Sequence, residues 1–316
     1  MLSGFLKEGD HMNSMIYKKK SPLFLFLIPA FAFMTVYLYY PFVMNIYNSF
    51  CKIRALGTAS KGFNDPLYEN YTKLFTDAAM GTAFKNTMLL MLCTIIFQVG
   101  IALLLALLID NITVGTKFFR TVYFFPIVIS AGALGLLFNL LFLYPSQGVS
   151  SVGGGPINTI VGALTGQNGP AMIDWKSMEN WMFTMFLPIM WQYVGFYFVI
   201  IITGLNNISA DIYEAASIDG ADGMKRIRYI TLPLLHNTLC TCLTLAITGA
   251  LKVFDLPWVM FPNGVPLGQS WLTGTYMYSV TYGGDVDYGS TIALLIVVLG
   301  VVISQVANII FKEKDY

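Results

Sequence analysis

Six long apolar runs, separated by polar stretches, dominate the sequence. They lie near residues 22–48, 85–109, 119–143, 181–205, 236–260 and 287–311. Each run is long enough to cross about 30 Å of hydrocarbon as a helix, which takes about 20 residues. The runs lack the alternation of a barrel strand, and helices are the other structure that satisfies the backbone in lipid. The pattern predicts an all-α membrane protein with six transmembrane helices.

Composition supports a membrane protein and narrows the function classes. Of the 316 residues, 56% are hydrophobic and only 11% are charged, less than half the charged share of a typical soluble domain. The net charge of +1 provides no concentrated positive face that could displace counterions from phosphates. We therefore expect membrane lipid, and no nucleic acid, among the partners.

The cysteines and histidines suggest no metal site. No Cys-x-x-Cys pair occurs, and neither histidine has a metal or triad partner in the pattern. We expect the thiols to pack as ordinary small apolar side chains. The residues concerned are Cys51, Cys93, Cys240, Cys242, His11 and His236.

The basic residues predict an orientation. With the N-terminus inside, 11 Lys and Arg residues lie in the cytoplasm and six lie outside, which follows the positive-inside rule. The first run is too long and too aromatic for a cleaved signal peptide, so we expect it to remain attached. The predicted organisation is a cytoplasmic tail at 1–21, a six-span domain at 22–311 and a cytoplasmic tail at 312–316.

A charged block at 206–235, here called the polar loop, interrupts the apolar pattern on the predicted cytoplasmic side. Its centre reads IYEAASIDGADGMKRIRYITLPLL. Ile208, Ile212 and Ala215 share one helical face by their spacing, and Gly220 can take a positive φ and turn the chain sharply. The candidate helix caps are Ser209 and Asp211. Periodicity alone also allows an interfacial helix whose basic residues meet anionic lipid.

The spacing within the polar loop is more specific. The order E-A-A, three residues, G, nine residues, I-x-L-P is met at Glu214, Ala215, Ala216, Gly220, Ile230, Leu232 and Pro233. This order resembles the signature loop of the membrane permeases of binding-protein-dependent ABC importers, and YEAASIDGA resembles its carbohydrate-uptake version. FFRTVYFFPIVIS, WQYVGFYFVIIITGLNNI and KVFDLPWVM resemble other segments of sugar permeases. The resemblance covers nearly the whole chain from about residue 22.

The resemblance implies the type I ABC importer permease fold, in which a cytoplasmic coupling helix docks on an ATPase. It implies four kinds of partner: a homologous second permease, two ATPase subunits, an extracytoplasmic solute-binding protein and the lipid of a bacterial inner membrane. ATP and Mg would be used by the ATPase, because this chain lacks a G-x-x-x-x-G-K-[ST] frame. We expect no cofactor and no enzyme activity in the chain itself. The implied coupling residues are Glu214, Ala215, Ala216, Asp219, Gly220 and Ala221.

The apolar runs also contain candidates for a substrate pathway. Lys252 and Asp255 lie three residues apart in the fifth run, which would place them on one helical face. Charges in a span usually face a cavity, although this pair could instead lie near the outer interface. Aromatic residues in the fourth run could stack on sugars, but for any one of them packing or a place in an interfacial belt is the favoured interpretation. The candidates are Trp191, Gln192, Tyr193, Tyr197, Lys252 and Asp255.

The sequence therefore predicts the permease subunit of an ATP-driven importer for a sugar, in particular an oligosaccharide. The same machinery could carry glycerol phosphate, a uronate or another polar solute. A secondary transporter or channel would favour more carboxylates inside the spans or an internal repeat. An intramembrane enzyme would need clustered acids, histidines or a nucleophile with its base, and none is assembled in the sequence.

Overall fold

The computed structural model of the chain describes residues 20–110, 115–144, 154–166, 171, 173–264 and 268–310. The predicted C-terminal tail at 312–316 and nearly all of the predicted N-terminal tail at 1–21, with His11, lie outside these ranges. In the described residues the secondary structure is helical, apart from one isolated antiparallel bridge between Cys51 and Phe63.

The long helices form six spans. Span 1 comprises Lys20–Met34, the π-helical turn Thr35–Tyr39 and Tyr40–Ser49; span 2 comprises Ala78–Cys93, the π-helical turn Thr94–Val99 and Gly100–Asp110. Span 3 has two arms, Thr116–Val128 and Ala131–Leu141; span 4 is Trp181–Asn206; span 5 comprises His236–Leu251 and Asp255–Met260; span 6 is Val286–Ile310. Five of these are long and apolar enough to cross a membrane as they stand, and the two arms of span 3 count as a sixth. The predicted all-α, six-span fold is confirmed.

Shorter elements join the spans. The polar loop contains the helix Ala210–Ile218, the turn Met224–Arg226, the π-helical turn Ile227–Thr231 and the turn Leu232–Leu234. Three further helices lie on the opposite side of the bundle, here called the far side: Glu69–Thr76, Pro156–Leu164 and Thr273–Tyr282.

The third predicted span, 119–143, is not one helix. Its two arms meet at an angle of 95°. Ser130 has extended backbone angles and its hydroxyl accepts a hydrogen bond from the backbone N–H of Ala133, at 3.3 Å. A serine at this position caps a new helix, so the chain restarts at Ala131. The apolar run gave no sign of this break, because both arms are apolar.

Span 4 is the centre of the bundle. Of its most apolar stretch 61% is buried, compared with none of the corresponding stretch of span 1. Span 4 crosses the first arm of span 3 very closely, since a Cβ on Gly195 would lie 1.6 Å from the carbonyl oxygen of Tyr123. Only a glycine permits this approach.

Two apolar clusters pack around span 4. The cluster on the far side joins it to spans 2, 3 and 5 through residues such as Leu90, Leu134, Phe138, Met185, Ile189 and Met260. The cluster nearer the polar loop includes Val99, Ala106, Phe198, Ile201, Leu205 and Ala246. Spans 4 and 5 are thereby fixed against each other at both ends.

Candidate functional site

The helix Ala210–Ile218 in the polar loop has defined ends. At its start the hydroxyl of Ser209 accepts a hydrogen bond from the N–H of Asp211, at 3.2 Å, so Ser209 is the cap. At its end Gly220 has a φ of +74°. The Gly220 N–H donates to the carbonyl of Ser217 and the Ala221 N–H donates to the carbonyl of Ala216. These two bonds form a Schellman motif, which requires a left-handed residue at the glycine position.

The burial of its side chains shows which face of this helix packs against the protein. Ile212 and Ala215 are exposed and Ile208 is only half-buried, whereas Ala216 is 6% exposed. The helix is therefore rotated so that Ala216 packs against the protein, because its small side chain allows the helix to lie close. Among the implied coupling residues, those that point outward or lie at the surface are Glu214, Ala215, Asp219, Gly220 and Ala221.

A contact that sequence reasoning missed fastens this helix to the bundle. The guanidinium of Arg226 lies over the ring of Tyr213, 5.1 Å from its centroid, in cation–π geometry. Arg226 also interacts electrostatically with Asp110, at the end of span 2. The i, i+13 separation of Tyr213 and Arg226 follows no helical spacing, so no sequence pattern predicts the pair.

A cavity lies between spans 4 and 5. One part, of about 140 Å³, is lined by residues that include Gln98, Tyr193 and Tyr197. An adjoining part, of about 260 Å³, is lined by residues that include Gln192, Lys252 and Asp255. The two parts share four lining residues: Ile189, Tyr193, Gly249 and Val253. They therefore form one continuous depression with amide, hydroxyl and charged groups on an apolar background.

Five of the six pathway candidates line this depression. The sixth, Trp191, points elsewhere: it is 42% exposed and packs edge-on against Phe138. Tyr197 is buried at the floor of the depression. Gln98 of span 2 also lines it, and its amide donates to the carbonyl of Ile189, at 2.9 Å. Sequence reasoning missed Gln98, although a glutamine inside an apolar run was a usable signal.

Lys252 and Asp255 do not share a helical face as predicted. The helix of span 5 ends at Leu251 and restarts at Asp255. Pro257 explains the break, because a proline lacks the N–H that an unbroken helix would use and its ring clashes with the carbonyl four residues earlier. Both charged side chains are exposed and line the depression, and the structure records no ion pair between them.

The break in span 3 lies beside the same depression. The amide of Gln192 donates to the carbonyl of Ile129 at 3.4 Å, the carbonyl at the point where the first arm ends. Ala131, the first residue of the second arm, lines the depression. Broken helices expose polar backbone where it borders a cavity, and Gln192 is placed to hold this break.

A charged cluster closes the far side of the bundle. The carboxylate of Asp285 accepts from Arg54 and, at 3.2 Å, from Lys73. Burial alone would raise the pKa of Asp285, but the bonds from Lys73 and Arg54 outweigh it and hold the pKa below its usual value. We call these three residues the far-side clasp. They connect the segment before span 2 to the start of span 6.

Asp77 is held in a similar way. Burial would raise the pKa of Asp77, but hydrogen bonds from Tyr276 and Tyr288, at 2.5 and 2.8 Å, lower it below its usual value. Asp77 also caps span 2 by accepting from the N–H of Ala79, at 2.9 Å. This cap starts span 2 seven residues before the predicted boundary at 85.

The cysteines are free thiols, three of them buried. Cys240 Sγ lies 3.5 Å from His236 Nε2, a contact that the i, i+4 spacing could have indicated. Among the described residues no three His, Cys, Asp or Glu side chains come together in an arrangement that could hold a metal ion.

Comparison with known proteins places this arrangement in context. Residues 116–313 match the family model described as binding-protein-dependent transport system inner membrane component. The chain is 30% identical to the sulfoquinovosyl glycerol transport system permease protein of Agrobacterium fabrum, over 92% of this chain and 90% of that protein. It is 27% identical to the arabinooligosaccharides transport system permease protein of Bacillus subtilis, over 93% and 90%.

Another relative and a solved structure extend the comparison. The osmoprotective compounds uptake permease protein of Synechocystis sp. is 29% identical over 92% of this chain and 99% of that protein. The fold matches a chain of a bacterial ABC transporter involved in the import of the acidic polysaccharide alginate, with a TM-score of 0.78, 20% identity and coverage of 95% and 98%.

Proposed function

The chain belongs to the family of inner membrane components of binding-protein-dependent transport systems, and on that premise we propose that its cargo is a carbohydrate. The chain is a permease subunit of an ABC importer, not an enzyme. The observation that carries the carbohydrate proposal is the depression between spans 4 and 5. Gln192, Tyr193, Lys252 and Asp255 there offer hydrogen bonds and an aromatic edge, the combination that a polyhydroxylated ring needs.

The names of the relatives support the same cargo class. Relatives named for arabinooligosaccharides and for lactose are 27% and 26% identical to this chain. An oligosaccharide fits the depression better than a single small ion, because its hydroxyls can pair with several separated polar groups. In the proposed pathway Tyr197, which is buried at the floor of the depression, is a wall residue. Trp191 lies outside the depression and is a supporting residue.

The polar loop is proposed as the docking element for an ATPase. The exposed surface of the helix Ala210–Ile218 combines the carboxylate of Glu214 with apolar groups, of which Ile218 is 87% exposed. Large exposed apolar side chains on a charged surface are typical of protein interfaces. The contact of Arg226 with Tyr213 would transmit movement of this helix to span 2. ATP and Mg belong to the docked ATPase in this proposal.

Span 1 is proposed to face a second permease and membrane lipid. Its side chains from Phe24 to Val43 are exposed, and this chain covers none of its most apolar stretch. The full assembly would contain the two permeases, two ATPase subunits and an extracytoplasmic binding protein. In that assembly the polar loop and both termini lie in the cytoplasm, and the far side meets the binding protein.

The test is uptake by the assembled importer in proteoliposomes. Malto-, arabino- and uronate oligosaccharides and glycerol 3-phosphate are offered, each with and without MgATP and a binding protein. We expect at least one oligosaccharide to accumulate only when MgATP and its loaded binding protein are both present. Accumulation of glycerol 3-phosphate alone, or of none of the panel, would refute the carbohydrate proposal.

A uronate cargo is a second candidate, favoured by Lys252. Its ammonium lines the depression and has no hydrogen bond or ion pair with the described residues, so it could pair with a sugar carboxylate. The variant Lys252→Gln should then reduce uptake of a uronate oligosaccharide about tenfold and leave neutral sugars nearly unchanged. Equal losses for both kinds of sugar would exclude the charge pairing.

A further inference from the structure

Four aromatic side chains form a connected row beside the depression. Phe254 and Trp258 stack with centroids 5.8 Å apart, and Tyr278 lies 4.9 and 4.7 Å from them. Tyr278 in turn stacks on Tyr282, at 4.2 Å. We call these four residues the aromatic row.

The row begins at the depression. Phe254 lines the depression beside Lys252 and Asp255. The helix that carries Tyr278 and Tyr282 starts at the same level, because a Cβ on Gly274 would lie 3.1 Å from the carbonyl oxygen of Val253. One end of the row therefore borders the polar groups.

The other end of the row reaches the far-side surface. The ten-residue helix Thr273–Tyr282 rises about 15 Å at 1.5 Å per residue. Just beyond its end, Asp285 pairs with Arg54 in the far-side clasp. Tyr282 is 63% exposed, whereas the three rings nearer the depression are partly buried. The row thus leads from open surface to the depression.

The arrangement differs from an interfacial belt. Belt residues share one membrane depth, whereas here Phe254, Trp258 and Tyr278 contact one another beside the depression and Tyr282 extends from them along a helix. Aromatic faces carry negative charge and ring edges positive charge, so each exposed face attracts the polarised C–H groups on the flat side of a sugar. Such contacts tolerate sliding, since they need no fixed hydrogen bond.

We propose that the aromatic row is an extended subsite that holds further units of an oligosaccharide while its leading unit occupies the depression. This inference rests on the proposed carbohydrate function. It makes the chain selective for longer sugars, because a monosaccharide or disaccharide would fill the depression without reaching Tyr282.

The test compares sugar lengths in the reconstituted importer at saturating loaded binding protein. The probes are maltose with maltopentaose and arabinobiose with arabinopentaose. The variant Tyr282→Leu should lower the uptake rate of the five-unit sugar about two- to tenfold and leave that of the two-unit sugar nearly unchanged. Tyr282→Phe, which keeps the ring, should restore the rate.

A matched control is Tyr68→Leu. Tyr68 lies on the same side, is 61% exposed and lies outside the row, so its loss should affect neither length. If sugars are taken up but Tyr282→Leu affects two- and five-unit sugars equally, the row is not a subsite and the carbohydrate function still stands. If neither the malto- nor the arabino-sugars are transported, the aromatic row has no sugar to bind and the inference fails.

Discussion

At the scale of single residues, the end of the helix Ala210–Ile218 depends on the backbone of Gly220. Its φ of +74° lies in the left-handed region, which costs other L-residues roughly 1–2 kcal/mol. No atom lies within 4 Å of a Cβ built at this position. Space is therefore available, and the requirement is purely conformational.

We accordingly predict different effects for two substitutions at one site. Gly220→Val should lower ATP-driven uptake roughly tenfold, because a β-branched residue resists the left-handed conformation and the Schellman motif is lost. Gly220→Asn should retain most of the uptake, since asparagine tolerates this region. Uptake normalised to the amount of protein in the membrane measures both, and equal activity of the two variants would contradict the assignment.

The spacing of the motif identified the polar loop, but it did not show which face of the loop's helix packs against the bundle. The motif gave Gly220 its turn and Ser209 as one of two caps, and both were correct. The spacing placed Ala215 on one face with Ile208 and Ile212 but left open which face is buried, and in the structure Ala216 rather than Ala215 meets the protein. In a helix with small residues on adjacent positions, periodicity cannot decide which of them faces the bundle, and the contact of Arg226 with Tyr213 decides it here.

At the scale of helices, spans 3 and 4 cross in very close contact. A Cβ at Gly195 would overlap the backbone of Tyr123, and backbone cannot move aside as a side chain can. The adjacent Gln192 holds the break in span 3 at 3.4 Å. The crossing therefore keeps the wall of the depression in place.

The variant Gly195→Ala should destabilise the protein by about 1–3 kcal/mol, the usual cost of overpacking. The control Gly100→Ala adds a methyl group to a helix at an exposed site with nothing within 4 Å and should be neutral or slightly stabilising. Thermal unfolding in one detergent compares them. An equal Tm for the two variants would show that the crossing is looser than described.

The far-side clasp predicts a dependence on pH. A carboxyl whose pKa is lowered in the folded state adds stability above its unfolded pKa, about 3.9 for aspartate, and this stability is lost as the pH falls through the lower folded pKa. Asp285 and Asp77 both have lowered pKa values. The Tm should therefore be steady from neutral pH to about pH 5 and fall below about pH 4.

Replacing Asp285 by Asn should remove part of this acid dependence. The variant should lose about 0.5–1 kcal/mol at neutral pH, since its ion pairs are partly exposed and screened. Glu179→Gln is the control, because Glu179 is exposed and makes no ion pair with the described residues. Identical acid profiles for Asp285→Asn and the wild type would place the acid sensitivity elsewhere.

At the scale of helices the sequence predicted six spans but not their breaks. Apolar runs report length and hydrophobicity, so they could not show the 95° bend in span 3. The restart of span 5 was readable from Pro257, which stands near the start of a new turn. The helix Thr273–Tyr282 was missed because its residues are too polar for a span and lack a sharp helical period.

At the scale of the whole molecule, the two proposed sites lie at different depths along the same spans. The polar loop connects directly to the ends of spans 4 and 5, and the depression lies between those spans. Movement of the helix Ala210–Ile218 would therefore shift the walls of the depression as rigid elements. Such coupling would require an ATPase on one side and a second permease along span 1, so we expect the chain to depend on partners.

The measurement that tests this dependence most directly is purification of the chain from its native membrane in mild detergent, followed by mass spectrometry. We expect an ATPase with a Walker motif and a second six-span permease to be recovered with it. Recovery should fail for the ATPase, but not for the permease, when the exposed Ile218 of the helix Ala210–Ile218 is replaced by Asp. Recovery of the wild-type chain alone, or as a homo-oligomer, would contradict this dependence on partners.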